Sequence, residues 1–449
     1  MSYFLFEEFD AITPKAWKQK IQVDLNGLDY NNTLLWHSLE GITIKPFYTK
    51  EDRTNHNIKL PKESFSICQS IFVDDEAIAN KLGIDALERG ANAIEFTANK
   101  TFNYNKLLND IDLKKTKIYF NFSFLNPDFC IRLSKFINSE NSFFNIDIIG
   151  NLAKTGNWFS NLKNDHSTVQ KIASEVKNSI SVNIATYQNA GANCIQQLAY
   201  ALAHANEYLN YFGSKIANQI TFIFSVGSNY FFEIAKLRAF RILWEALLKE
   251  YNVENTEAHI FVRPSLRNKT IYDYNVNMLR TTSECMSAIF GGVNTISNVS
   301  YDAIFKKSND FGERISRNQL LILKEESGLE TPQYYANGSY YIESLTEQLA
   351  EKALDIFKQI EQGGGFLKQL KEGIVQKKIT ESAQKEQELF NTNSLVLVGT
   401  NEIQNQEDKM KNNLELYPFV KKRSKKTLIQ PIISKRLAEN LEQKRLEDE

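Results

Sequence analysis

Ile180-Ser181-Val182-Asn183-Ile184-Ala185-Thr186, then Asn193 to Phe212, then Gln219-Ile220-Thr221-Phe222-Ile223-Phe224-Ser225-Val226-Gly227: this passage decides the fold. The outer runs are short and rich in β-branched and aromatic residues, as strands are. Between them Ile195, Leu198, Ala199, Leu202, Leu209 and Phe212 recur at spacings near three and four, which lays one apolar stripe along a helix. The same alternation extends outward in both directions. Strands are expected at Ser64–Phe72, Ala93–Ala98, Lys117–Phe124, Phe144–Gly150, Ile180–Thr186, Gln219–Gly227, His259–Ser265 and Asn294–Ser300. Helical stretches such as Asp74–Gly90, Tyr230–Tyr251 and Tyr274–Phe290 separate them. Eight strand–helix repeats specify an α/β fold, a (β/α)8 TIM-type barrel, whose chemistry belongs at the C-terminal strand ends. A doubly wound open sheet is the competing arrangement and rarely takes eight regular repeats.

The barrel with its trailing helices spans 64–390. Residues 1–63 form an N-terminal arm: Thr13-Pro14 is an N-cap with proline at the first helical position, and the stretch from Trp36 to Tyr48 has no clear period. Such an arm either lies without a core of its own or wraps a neighbour. Beyond the barrel, Gly338–Ala353 and Ile360–Lys378 read as helices broken by Gly363-Gly364-Gly365, a flexible connector by default. It follows no strand and lacks the spacing of a phosphate loop. The tail, 391–449, ends in a charged helix, Ile433–Glu449. It also carries the one basic run, Lys421-Lys422-Arg423-Ser424-Lys425-Lys426, read as a solvated surface segment.

Composition narrows the function. Lys and Arg total 53 against 54 Asp and Glu, a net charge of −1, so binding built on phosphate neutralisation of nucleic acid is disfavoured. Cys68, Cys130, Cys194 and Cys285 are scattered without a CxxC pair, which suits buried thiols in a reducing compartment. The start, Met1-Ser2-Tyr3-Phe4-Leu5-Phe6-Glu7-Glu8, lacks the basic and apolar regions of a signal peptide, and no apolar run reaches the ~18 residues of a membrane span. A cytoplasmic protein is expected.

The residues following the expected strands are Asp74, Asn99, Asn126, Asn151, Thr186-Tyr187-Gln188, Ser228, Ser265-Leu266-Arg267 and Tyr301-Asp302. Few of these transfer protons near neutral pH. The five histidines, His37, His56, His166, His204 and His259, lie elsewhere. No His, Cys and carboxylate spacing suggests a metal, and no nucleophile elbow is present. Arg263 and Arg267 can hold an anion, though ion pairs are the commoner fate of such residues. The interior of a (β/α)8 barrel can be filled by bulky side chains. In Lys117–Phe124, Phe120, Phe122 and Phe124 share one face and Asn121 and Ser123 the other, with the inward face left open.

Several motifs together resemble one family. They are Tyr187-Gln188-Asn189-Ala190-Gly191-Ala192, Gln197-Leu198-Ala199-Tyr200-Ala201-Leu202, Glu233-Ile234-Ala235-Lys236-Leu237-Arg238 and Asn277-Met278-Leu279-Arg280-Thr281-Thr282. Arg314-Ile315-Ser316-Arg317-Asn318, Glu325-Glu326-Ser327-Gly328 and Gly338-Ser339-Tyr340-Tyr341-Ile342-Glu343 complete the set. In this order they resemble the adenosylcobalamin-dependent methylmalonyl-CoA mutases, strongly from Ala185 to Phe390. The resemblance implies a (β/α)8 barrel that holds acyl-CoA along its axis and a cobalamin domain, with the radical chemistry supplied by the cofactor.

The chain departs from that pattern at the catalytic positions. Where catalytic members carry Tyr-His, this sequence has Ala185-Thr186, with Tyr187 at a methionine position; a second family histidine falls at Ser297. A substrate-binding arginine should fall near Phe261, and Arg263 lies two residues on. No cobalt-ligating motif follows Asp165-His166. The resemblance therefore implies no catalytic residues, a degenerate substrate pocket of Thr186, Tyr187, Gln188, Arg263 and Ser297, and no metal or cofactor held by this chain. These gaps resemble the small-subunit branch of the family: a non-catalytic chain, here without a cobalamin domain, paired in a heterodimer with a large catalytic subunit that carries adenosylcobalamin. The alternative reading is an active acyl-CoA mutase barrel that uses a cobalamin domain on a separate chain.

Overall fold

The computed structural model describes residues 8–53, 58–331, 334–421 and 426–449; His56 and positions 422–425 of the basic run lie outside them. A short antiparallel hairpin, β1 (Trp36–His37) with β2 (Thr43–Ile44), precedes the barrel. Eight parallel strands follow: β3 (Ser66–Phe72), β4 (Ala93–Ala98), β5 (Lys117–Phe122), β6 (Ser142–Phe144), β7 (Ile180–Asn183), β8 (Ile220–Val226), β9 (His259–Pro264) and β10 (Thr295–Ile296). Their spatial order, β6-β5-β4-β3-β10-β9-β8-β7, joins the last strand to the first, with Thr295 beside Ser66 and Ile296 beside Ile67. The seam falls between β6 and β7, which meet at one bridge from Ile146 to Ile180. The TIM-type barrel expected from the sequence is the fold.

The seam has a local cause. The fourth strand was expected at Phe144–Gly150, but β6 ends at Phe144 and Ile148–Thr155 is a helix. Asp147 is its N-cap: Oδ1 accepts the Gly150 N–H at 2.7 Å, a stop signal hidden inside an apolar run. Likewise β7 ends at Asn183 and Ala185–Gln188 makes a helical turn, while β10 closes after two residues. The helix Cys194–Phe212 starts at Asn193, whose side chain and that of Gln196 cap each other's backbone.

The trailing helices correct the sequence reading. Tyr340–Gln362 is one uninterrupted helix, followed by Phe366–Lys371 and Ile374–Asn391. The triple glycine between them is a tight turn: Gly364 and Gly365 have φ of +100° and +90°, and a Cβ on Gly365 would stand 2.7 Å from the Glu207 carboxylate.

At the N-terminus, Pro14–Asp24 is helical and Thr13 Oγ1 accepts the Ala16 N–H at 3.2 Å, yet no residue of this helix is buried. The following segment docks on this same chain. Trp36 meets Phe232 edge-on at 5.9 Å, Tyr48 packs on Tyr341 at 5.0 Å, and Arg53 pairs with Glu343. The tail helix is Glu439–Asp448, shorter than Ile433–Glu449, because the residues before it form an extended strap. Its backbone N–H groups bond to carbonyls of the barrel: Leu428 to Gly156, Ile432 to Ala153, Lys435 to Asn189 and Leu437 to Arg267, at 2.8–3.0 Å. Peptide groups satisfied by another segment cannot continue a helix.

Candidate functional site: the barrel axis and mouth

Alternation along the strands sends two layers of side chains into the barrel. The lower layer is Cys68, Ala93, Tyr119, Phe143, Ile223 and Phe261, all buried in one cluster. Tyr119 stacks on Phe143 at 4.6 Å and meets Phe261 edge-on at 4.8 Å, while Phe143 stacks on His259 at 4.4 Å. The Tyr119 hydroxyl bonds to His259 Nε2 at 2.9 Å and Thr295 Oγ1 at 2.7 Å, so this buried oxygen is satisfied. Burial pushes the His259 imidazole down to about 3, which keeps it neutral beneath this aromatic floor. Rings from three strands thus close the axis.

Above the floor lies a polar layer. Glu95, fully buried, pairs with Arg263 and accepts from Ser70 and Asn121. Asn145 donates to Asn121 at 3.0 Å, and Ser297 Oγ donates to Ser70 Oγ at 3.3 Å. Of the five residues proposed for a degenerate pocket, Arg263 and Ser297 share this layer. Tyr187 lies behind the strands, with its hydroxyl 2.9 Å from His204 Nδ1 and its ring between Tyr200 and Phe366. Thr186 is buried on the same helical turn, and Gln188 Oε1 accepts from Ser265 at 3.0 Å. Sequence reasoning missed Glu95, Tyr119 and Phe143. Strand alternation pairs Tyr119 with Asn121, but the inward face was not assigned; Phe120 and Phe122 face out against Phe129 and Phe144.

The family-like motifs build scaffold. Lys236, fully buried, pairs with Glu233 and donates to Gln197 Oε1 and the Ser225 carbonyl, both at 2.8 Å. Gly227 N–H reaches Glu233 at 2.9 Å, so one hub ties two motif helices to the end of β8. Asn277 and Arg280 brace the loop after β9 through Thr270. The remaining described histidines stand apart from the mouth: His166 packs between Trp158, Tyr211 and Phe212, and His37 bonds Thr43 in the hairpin. His204 joins Asp147 at 3.0 Å in the core. Burial raises the Asp147 carboxyl, but His204, Tyr208 and the Gly150 N–H outweigh it and hold it below the usual range. Among the described residues, no group of three His, Cys, Asp or Glu is arranged to hold a metal, and no helix is long and apolar enough to cross a membrane.

A parallel eight-stranded barrel with a filled axis and buried hubs at its strand ends defines the class: a TIM-type barrel whose axis is packed with side chains. The methylmalonyl-CoA mutase family model matches residues 139–447, and the chain belongs to that family. It is 32% identical over 439 residues to a methylmalonyl-CoA mutase small subunit from Porphyromonas gingivalis, covering 89% of this chain and 71% of that one. Methylmalonyl-CoA mutases from Rhizobium meliloti and Escherichia coli are 36% and 34% identical, each over 50% of this chain. The chain spans about a third of the length of those two relatives. Among solved structures, a dihydropteroate synthase from Coxiella burnetii aligns with 66% of this chain and 100% of its own at 11% identity and a TM-score of 0.32.

Proposed function

We propose that this chain is a non-catalytic structural subunit of methylmalonyl-CoA mutase. In this reading it supports a large catalytic subunit that interconverts methylmalonyl-CoA and succinyl-CoA by a cobalamin radical rearrangement. The observation that carries the reading is the aromatic floor of Tyr119, Phe143 and Phe261 over His259. An acyl-CoA held along the axis needs the space these rings occupy. The polar layer above them is committed to itself, with the Arg263 guanidinium on Glu95. The described residues also do not fit adenosylcobalamin. No described histidine stands at the mouth, and the strap covers the Asn189 and Arg267 carbonyls there. The cofactor therefore belongs to the partner in this proposal, and the N-terminal helix with no buried residue is the arm's contribution to the interface.

The test is co-expression of this chain with a large mutase subunit from the same cells, followed by intact-complex mass and turnover assays. A one-to-one complex, active with the partner while the lone chain is inert, is expected. Turnover by this chain with only a small cobalamin protein would overturn the proposal in favour of a split active enzyme.

A further inference from the structure

We propose that the cleft between the tail and the barrel's C-terminal face binds a nucleoside phosphate, with the phosphate on its lysines and the base on its aromatic wall. The cleft has a volume of about 350 Å³, within the range of small-molecule sites. Five cations line it, Lys154, Arg267, Lys421, Lys435 and Arg436, against the single carboxylate of Glu439. In a chain of 53 basic and 54 acidic residues this is a marked local excess. Both guanidiniums are already engaged, Arg267 with Glu386 and Arg436 with Glu442. Glu439 is engaged too, accepting the N–H groups of Arg436 and Val420 at 2.9 and 3.2 Å. Lys421 and Lys435 are exposed and have no ion-pair partner among the described residues, so their charge is available to a bound anion.

Apolar and aromatic side chains make up much of the rest of the lining. Tyr417 is 58% exposed and sits edge-on to Phe419 at 5.5 Å, with Leu266 and Ile433 exposed beside them. An exposed tyrosine ring next to lysines is a stacking platform beside a phosphate site. Inorganic phosphate would satisfy the lysines and leave these side chains wet; an apolar ligand would do the reverse. A planar base joined to a phosphate uses both. Such a group comes either from a free nucleotide or from the nucleotide end of a larger coenzyme.

Calorimetric titration of the full chain at low salt with ADP, coenzyme A, adenosine and inorganic phosphate tests this. ADP should bind, with adenosine and phosphate each weaker by about tenfold or more, and added salt should weaken it further. The surface variants Lys421→Glu with Lys435→Glu, and separately Tyr417→Ala, should each weaken ADP by about tenfold without moving the thermal midpoint. Coenzyme A binding as well as ADP would identify the nucleotide end of a coenzyme as the ligand; weaker coenzyme A binding would identify a free nucleotide. No ADP binding at millimolar concentration, phosphate matching ADP, or unchanged affinity in the variants would overturn the proposal.

Discussion

Glu95 shows how much one inward position decides. It is fully buried, and its charge is tolerable only because Arg263, Ser70 and Asn121 surround it. Arg263→Ala should cost about 2–3 kcal/mol in chemical denaturation, since it strands a buried carboxylate while Arg263 itself is part-exposed. The double variant Glu95→Leu with Arg263→Met should recover most of that loss. His259 gives a pH signature. Its folded value, about 3, lies below the unfolded ~6.5, so the unfolded chain binds the extra proton between these limits. Stability should therefore fall as pH drops from about 6.5 toward 3, and His259→Phe should flatten that slope in a series of unfolding midpoints. Neither residue was legible as functional in the sequence. Glu95 sits among apolar residues of β4, and period-2 alternation separates two faces without saying which one meets the axis.

Elements were more legible where a stop signal was visible. Asn193 and Gln196 mark the start of the helix Cys194–Phe212, and Thr13-Pro14 marks the first helix. Asp147 was hidden because Ile146, Ile148 and Ile149 continue a strand-like run on both sides of it. Its carboxylate caps a helix, accepts the Asn183 N–H at 2.9 Å and receives the Tyr208 hydroxyl at 2.7 Å. Asp147→Ala should cost about 3 kcal/mol, combining a lost cap with orphaned buried donors, as measured by denaturant midpoints. The tail was misread for a different reason: an extended strap is held by the barrel's carbonyls, and local sequence cannot report a remote partner. Arg267 donates to the Lys435 carbonyl at 2.8 Å while its own carbonyl accepts from Leu437. Arg267→Ala should accelerate amide hydrogen exchange at Lys435 and Leu437 and leave β8 protected.

At the scale of the molecule, the barrel was readable because eight repeats of one pattern outweigh errors at single boundaries. Assembly is where sequence and fold leave a visible loose end. Ile12, Trp17, Val23 and Leu28 are 48–71% exposed on the first helix and the residues flanking it, and a helix of 11 residues is marginal in water without a surface to lie on. On the proposed heterodimer, deleting the first 28 residues, which spares the Asp29 cap of the next helix, should leave the thermal midpoint of the lone chain unchanged and weaken capture of the large subunit. In the intact chain, Trp17 emission should shift to the blue when that subunit is added. The aromatic floor has a consequence of its own. With the lower end sealed by rings, any route for water to the buried polar layer around Glu95 runs from the rim. Isotope exchange around that carboxylate should then be governed by events at the rim, and loosening the base of the barrel should barely change its rate.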